Sequence, residues 1–302
     1  MKLPAFEKTR MLTPTSGERL TANPVAVFLL FLLITVITQT ARSGIFDVVT
    51  AIIGEKMNYA IAVLIQLFAT LATVAVVLLF CLLAEKRSLL SLGFTGRGAV
   101  SEYVVGLLGG LILFGSAVLL CVATGTVTVS LSTKSPAWGM LALYFLGFLI
   151  QGMSEEMLCR SYLMVSLSRR WPLWVCAVIN ALLFSLLHLG NSGISVIALI
   201  NIFLFGLFAS LLTLRRGSIW MVGALHSMWN FAQGNLFGIP VSGIRGLPSP
   251  LSSTLTEGTW QGVINGGAFG LEGGLAVTTV LLVACVGVLF WPTKNSEIEE
   301  SN

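Results

Sequence analysis

Charge is scarce in this chain. Only 10% of its 302 residues are Asp, Glu, Lys or Arg, against about 25% in an ordinary soluble domain. So few charges cannot cover a water-exposed surface, which excludes a soluble enzyme, a nucleic-acid binder and a disordered chain. Histidine is rarer still, with two residues in all. The five cysteines (Cys81, Cys121, Cys159, Cys176 and Cys285) form no CxxC pair, so neither a disulfide framework nor a thiolate metal site is expected. No HExxH zinc motif occurs. No internal repeat is visible, which argues against the inverted halves common in transporters. No cleavable signal peptide is expected either, because a long leader holding Lys2, Lys8, Arg10 and Arg19 precedes the first apolar run near Val25.

Apolar residues fill the space that charge leaves, at 56% of the chain. Eight apolar stretches stand out: Val25–Thr40, Tyr59–Ala84, Val104–Thr124, Ala137–Leu167, Pro172–Leu189, Ile194–Leu214, Ile219–Gln233 and Gly274–Trp291. Most approach the ~20 residues that cross a bilayer core. The fourth, at ~46 Å by the helical rise, must tilt, protrude or break, and Gly152 is the expected break point. Basic residues orient the spans. Lys2, Lys8, Arg10, Arg19, Lys86, Arg87, Arg97, Arg169, Arg170, Arg215, Arg216 and Lys294 fall on one side, and Arg42, Lys56, Lys134 and Arg245 on the other. The expected fold is therefore an all-α polytopic membrane helix bundle with about eight transmembrane helices and both termini cytoplasmic. Its parts are a cytoplasmic N-terminal segment (1–24), three transmembrane helices (25–135), a catalytic core of helices four to seven (136–233), an extracytoplasmic loop (234–273), and an eighth helix with an acidic cytoplasmic tail (274–302). The loop is rich in Gly, Ser and Pro and is expected either to be disordered or to fold back as a lid.

Only five ionisable side chains of the Lys, Arg, Asp, Glu and His types sit well inside these spans: Glu155, Glu156, Arg160, His188 and His226. A charge at mid-membrane costs ~2.5–3.5 kcal/mol, so a functional site is the default reading, with a structural ion-pair network as the plain alternative. Residues four apart share a helix face. Glu156 and Arg160 can thus neutralise each other within one helix, while Glu155 points about 100° away and needs a partner from elsewhere. On the fifth span Asn180, Phe184 and His188 form a stripe, and on the seventh His226 and Asn230 share a face beside Trp229. Lipid drives such groups inward, so three helices can present Glu155, His188, His226 and Asn230 to one cavity.

An acid, two imidazoles and an amide lend themselves to hydrolysis by activated water. Burial makes Glu155 a stronger base, His188 can share the water's proton, and His226 and Asn230 can stabilise an oxyanion. A zinc version, with Glu155, His188 and His226 as ligands, stays open behind the metal-independent one. A weaker third version uses Cys159, which shares a face with Glu155, as a nucleophile; a buried apolar thiol is usually inert.

Three patterns in order, Glu155-Glu156-Met-Leu-Cys-Arg160 (EExxxR), Phe184-Ser-Leu-Leu-His188 (FxxxH) and His226-Ser-Met-Trp-Asn230 (HxxxN), resemble the motifs of the CPBP family. These are the CAAX-protease and bacteriocin-processing intramembrane endopeptidases, also called the Abi family. The likeness covers about Ala137 to Phe231. It implies proteolysis within the membrane, with Glu155 and His188 activating water and His226 and Asn230 holding the oxyanion. Glu156, Arg160 and Phe184 would have structural or positioning roles. Members have been described both as metalloproteases and as glutamate-dependent proteases, so the resemblance leaves zinc open. Eukaryotic relatives cleave the last three residues from prenylated CAAX proteins, and bacterial relatives process peptides or act in bacteriocin immunity. The stretch Asn265–Gly274, which holds Glu272, also resembles a segment of bacterial members.

The expected function is intramembrane cleavage of a membrane-embedded peptide or lipidated protein, in the bilayer of a bacterial cytoplasmic membrane. No cofactor and no nucleic acid are expected. The rivals are a non-catalytic immunity or scaffold protein, a zinc-dependent version of the protease, and a proton-coupled transporter.

Overall fold

The computed structural model describes residues 6, 9–19, 21, 23–133 and 137–291. The acidic tail Asn295–Asn302 and the basic residues Lys2, Lys8, Lys134 and Lys294 lie outside the described residues. Among the described residues the chain is mostly helical, with one small two-stranded sheet. Helix α1 runs Pro24–Ile53, started by Pro24 and by the Asn23 side chain, which accepts from the Val25 N–H at 2.9 Å. The helix does not stop near Thr40, where the apolar run ends. It carries Gln39 and Arg42 as a polar face and ends at Gly54, whose φ of 57° breaks it. Helices α2 (Tyr59–Ala69) and α3 (Leu71–Leu79) follow, then α4 (Ala99–Ala123), strand β1 (Val127–Leu131) and α5 (Trp138–Glu156). Helix α5 continues without a break through a π-helical stretch, Met157–Met164, into α6 (Val165–Ser168). Next come α7 (Leu173–Leu186), α8 (Val196–Arg216), α9 (Trp220–Phe231), β2 (Leu251–Leu255), α10 (Thr259–Asn265) and α11 (Leu275–Phe290).

Among the described residues, four helical runs are long and apolar enough to cross a membrane: Pro24–Lys56, Tyr59–Ala84, Ala99–Ala123 and Val196–Arg216. Leu173–Leu186 and Leu275–Phe290 are shorter apolar helices. The outer helices show their apolar faces outward, as lipid contact requires: Leu29, Leu32 and Val36 of α1 and Val104, Leu108 and Ile112 of α4 are all exposed. The molecule is thus an integral membrane protein.

Helix α9 sits at the centre, packed against α4 and α5, and its residues Met221–Ser227 are all buried. Association in lipid relies on close packing rather than on the hydrophobic effect, so small residues mark the contacts. A Cβ built on Gly106 or Gly110 of α4 would stand 2.3 Å from the carbonyl oxygens of Met221 and Leu225. Gly152 plays the same part on α5: a Cβ there would stand 2.5 Å from Ser227 Oγ. The expected break at Gly152 is therefore corrected. Gly152 lies inside regular helix, and the departure comes after Glu156, where the π-helical widening begins.

The segment after α9 is built structure. Strand β2 pairs antiparallel with β1, Val127 opposite Leu255 and Leu131 opposite Leu251. Between them and α9, Val241, Ser242 and Ile244 turn back over the bundle and line its interior cavity.

Candidate active site

A cavity of about 280 Å³ opens among α1, α2, α5, α8, α9 and the turn after α7, and Glu155, His188, His226 and Asn230 all line it. Three separate segments deliver them. Glu155 is next to last in α5, just before the π-helical stretch. His226 and Asn230 come from one face of α9. His188 is not on a helix, as the stripe with Asn180 and Phe184 had implied: α7 ends at Leu186. His188 sits in the turn that follows, its own N–H donating to the Ser185 carbonyl at 3.0 Å. Asn180 does not line the cavity; its side-chain amide oxygen accepts from Ser210 Oγ on α8 at 2.8 Å and its amide nitrogen donates to the Cys159 carbonyl at 2.9 Å.

The two adjacent glutamates have different surroundings. Glu156 is fully buried, and its Oε1 accepts from Arg160 Nη1 at 3.0 Å, the expected pair within one helix. The same oxygen also lies 2.8 Å from Nδ1 of His226, a contact between helices that spacing alone did not reveal. Arg160 is held further by the Gly206 carbonyl at 3.0 Å and by the Phe184 ring, whose centroid lies 4.6 Å from its guanidinium carbon. Phe184 thus packs between the Arg160 guanidinium and the two imidazoles, 4.8 Å from the His188 ring and 6.0 Å from that of His226.

Glu155 is half-buried in the cavity wall. Its Oε1 accepts from Gln151 Nε2 at 2.7 Å. Its Oε2 has no hydrogen-bond partner and lies 3.7 Å from His226 Nε2, beyond hydrogen-bond reach. A partner on its own helix, four residues back, was missed in the sequence. Gln151 also accepts from Asn230 Nδ2 at 3.0 Å, so one amide orients both the acid and the asparagine. The i−4 spacing to Glu155 was the available signal.

Partner chemistry assigns the ring protons. His188 Nδ1 lies 2.8 Å from the Phe184 carbonyl oxygen. A carbonyl only accepts, so in the neutral ring Nδ1 carries the hydrogen and Nε2 is an acceptor. Nδ1 of His226 faces a carboxylate and carries a hydrogen for the same reason. Asn230 has a second amide hydrogen beyond the one given to Gln151.

Glu272, from the glycine-rich stretch before α11, closes the cavity on the loop side. Trp229 Nε1 donates to its Oε1 at 3.2 Å, and the Ser242 N–H and hydroxyl donate to Oε2 at 2.9 and 2.6 Å. This carboxylate ties the returning loop to the residue beside Asn230.

The zinc donor set fits poorly. Among the described residues no three His, Cys, Asp or Glu side chains gather as a metal-holding group. His226 has one ring nitrogen on Glu156 and the other toward Glu155. Cys159 lines the cavity as a buried free thiol.

Residues 137–232 match the family model described as type II CAAX prenyl endopeptidase Rce1-like. This is the CAAX-protease family whose three motifs the sequence resembles. No curated protein matches the chain.

Proposed function

From a chain whose residues 137–232 carry the match to the type II CAAX prenyl endopeptidases, we propose an intramembrane endopeptidase that hydrolyses a peptide bond in a membrane-embedded or lipidated substrate. The bundle spans the membrane eight times with both ends in the cytoplasm of a bacterial cell, and no metal takes part.

One observation carries the reading: a carboxylate oxygen without a partner, Glu155 Oε2, in a cavity wall shared with two imidazoles and a free amide hydrogen. Water held by Glu155 Oε2 and His188 Nε2 gives its proton to the carboxylate as its oxygen attacks the carbonyl carbon. The oxyanion takes hydrogen bonds from Asn230 Nδ2 and from His226 Nε2. A proton on that Nε2 balances two carboxylates, Glu155 and Glu156, against the single Arg160 guanidinium. As the C–N bond breaks, the proton on Glu155 passes to the leaving amine. Gln151 keeps acid and amide in register, and Glu156 keeps the His226 ring in place.

The test compares membrane peptides of cells carrying the active protein with those of cells carrying Glu155→Gln. Peptides that accumulate uncut only with the variant identify the substrate. Indistinguishable profiles, with the biological effect retained by the variant, would establish the scaffold role instead. Chelator treatment of the purified protein leaves cleavage intact on this reading; loss of activity restored by zinc would return the metal version.

A further inference from the structure

The EExxxR motif straddles a change of helix type. Glu155 and Glu156 close α5 as regular helix, whereas Arg160 lies in the π-helical stretch Met157–Met164. A π-helical turn spaces its bonds i→i+5, is rare and frequently marks a functional site. In a membrane bundle, a carbonyl that such a turn frees is answered by a donor from a neighbouring element. Here the neighbour is the connection between α3 and α4. Arg87 of that connection, a topology marker in the sequence, is only 3% exposed. Its Nη2 donates to the Ser161 carbonyl, inside the π-helical stretch, at 2.8 Å. The same nitrogen donates to the Ser91 carbonyl at 2.8 Å, and Nε donates to Ser91 Oγ at 3.2 Å. Nη1 faces Glu85 Oε2 at 3.5 Å. The Ser161 hydroxyl grips the same connection, donating to the Leu92 carbonyl at 2.6 Å.

No step of the proposed chemistry uses this arginine, but its position bears on one. Ser161 follows Arg160, whose guanidinium meets Glu156 Oε1 at 3.0 Å, and that oxygen also lies 2.8 Å from His226 Nδ1. A short chain of bonds and contacts thus runs from Arg87 through Ser161, Arg160 and Glu156 to His226. Glu85 is fixed in turn by the N-terminal segment: its carboxylate accepts from Thr21 Oγ1 at 2.7 Å and its carbonyl from the Arg19 N–H at 2.7 Å. The arginine is therefore held from behind while it holds the helix in front.

We propose that Arg87 is a positioning residue for the hydrolysis. It keeps the π-helical stretch in the register that sets Arg160 on Glu156 and Glu156 on His226, and it touches no reacting group. This inference rests on the protease reading of the site and adds a residue outside the three motifs on which an oxyanion donor depends. Lysine at this position keeps a charge for Glu85, but its flexible ammonium lacks the planar fork that reaches Ser91 and Ser161 at once.

Kinetics of the purified protein in phosphatidylcholine vesicles test it, with a fluorogenic S-farnesyl peptide ending in cysteine and three further residues as the probe. Arg87→Lys lowers kcat about 10- to 100-fold with KM unchanged, the scale of a catalytic group misplaced from a distance. In a Glu156→Gln background the anchor of His226 is already gone. The same change there lowers kcat by less than about threefold, because residues acting through one contact are not additive. Deuterium exchange of residues 157–165 rises in Arg87→Lys without any substrate. An unchanged kcat, a loss confined to KM, losses that multiply across the two variants, or unchanged exchange overturns the proposal. If Arg87→Lys fails to fold, Arg87→Met combined with Glu85→Gln, which removes the fork and leaves neither charge of the pair unmatched, is judged by the same criteria. Absence of cleavage by the unchanged chain counts against the protease reading, and exchange of 157–165 then decides whether Arg87 holds the helix.

Discussion

Replacing Glu156 by glutamine separates the two duties that the structure gives this residue. Glu156 and Arg160 are both 0% exposed and meet at 3.0 Å. Glutamine is nearly isosteric, so packing changes little, but the guanidinium is left with a carbonyl at 3.0 Å and an aromatic face and no counter-charge. Breaking a buried pair from one side costs about 3–5 kcal/mol, which lowers the melting temperature by roughly 10 °C for a domain of this size class. Removing both charges, in Glu156→Gln with Arg160→Met, should return most of that stability, because a buried pair replaced by apolar packing is often neutral. Catalysis should not return with it. The His226 Nδ1 contact at 2.8 Å is to the same Glu156 oxygen, so both variants lose the anion that holds the ring, and kcat falls on the order of 10²–10³, as when one oxyanion donor is removed. Melting curves in detergent and cleavage in proteoliposomes read the two effects separately. An unchanged melting temperature in the single variant, or wild-type cleavage by the double variant, would refute the reasoning.

Three further outcomes follow from particular contacts. Asn230→Ala removes the proposed oxyanion donor and should lower kcat about 10²–10³-fold with little change in KM, read by initial rates over a range of substrate concentrations. Gly110→Val drives side-chain atoms into the α9 backbone, where even a Cβ would stand 2.3 Å from the Leu225 carbonyl; it should destabilise by about 1–3 kcal/mol or more and lower kcat, measured by thermal unfolding and rate together. Glu272→Ala releases Trp229 and Ser242, so limited proteolysis should cut the loop near Val241–Arg245 faster and KM should rise; unchanged proteolysis would show that the loop is held by other contacts.

Much of the site was legible because helix periodicity is a strong constraint in lipid. The i, i+4 spacing places Arg160 on Glu156, and the need to hide polar groups from lipid turns His226 and Asn230 inward. What spacing could not show is how helices meet. The contact between Glu156 and His226 depends on the approach of α5 to α9, permitted by Gly152 against Ser227. The residue looked like a break because glycine weakens an isolated helix, whereas here it serves packing. His188 left its helix because α7 closes two residues earlier, a boundary that an apolar run through Leu189 conceals. The β1–β2 pair joins segments more than a hundred residues apart, and only the short alternation Val127-Thr-Val-Ser-Leu131 hinted at it. Arg42 was read as a topology marker beyond the end of the first span, since hydropathy ends that span at Thr40 while the helix goes on to Ile53.

The most direct test of the central claim is cleavage of an identified substrate by purified protein in vesicles, with Glu155→Gln, His188→Gln and the unchanged chain measured side by side. The account predicts that the unchanged chain cleaves, and that each variant stays folded with kcat down by about 10²–10⁴, the scale of a lost general base. Cleavage by folded Glu155→Gln at the rate of the unchanged chain would contradict it.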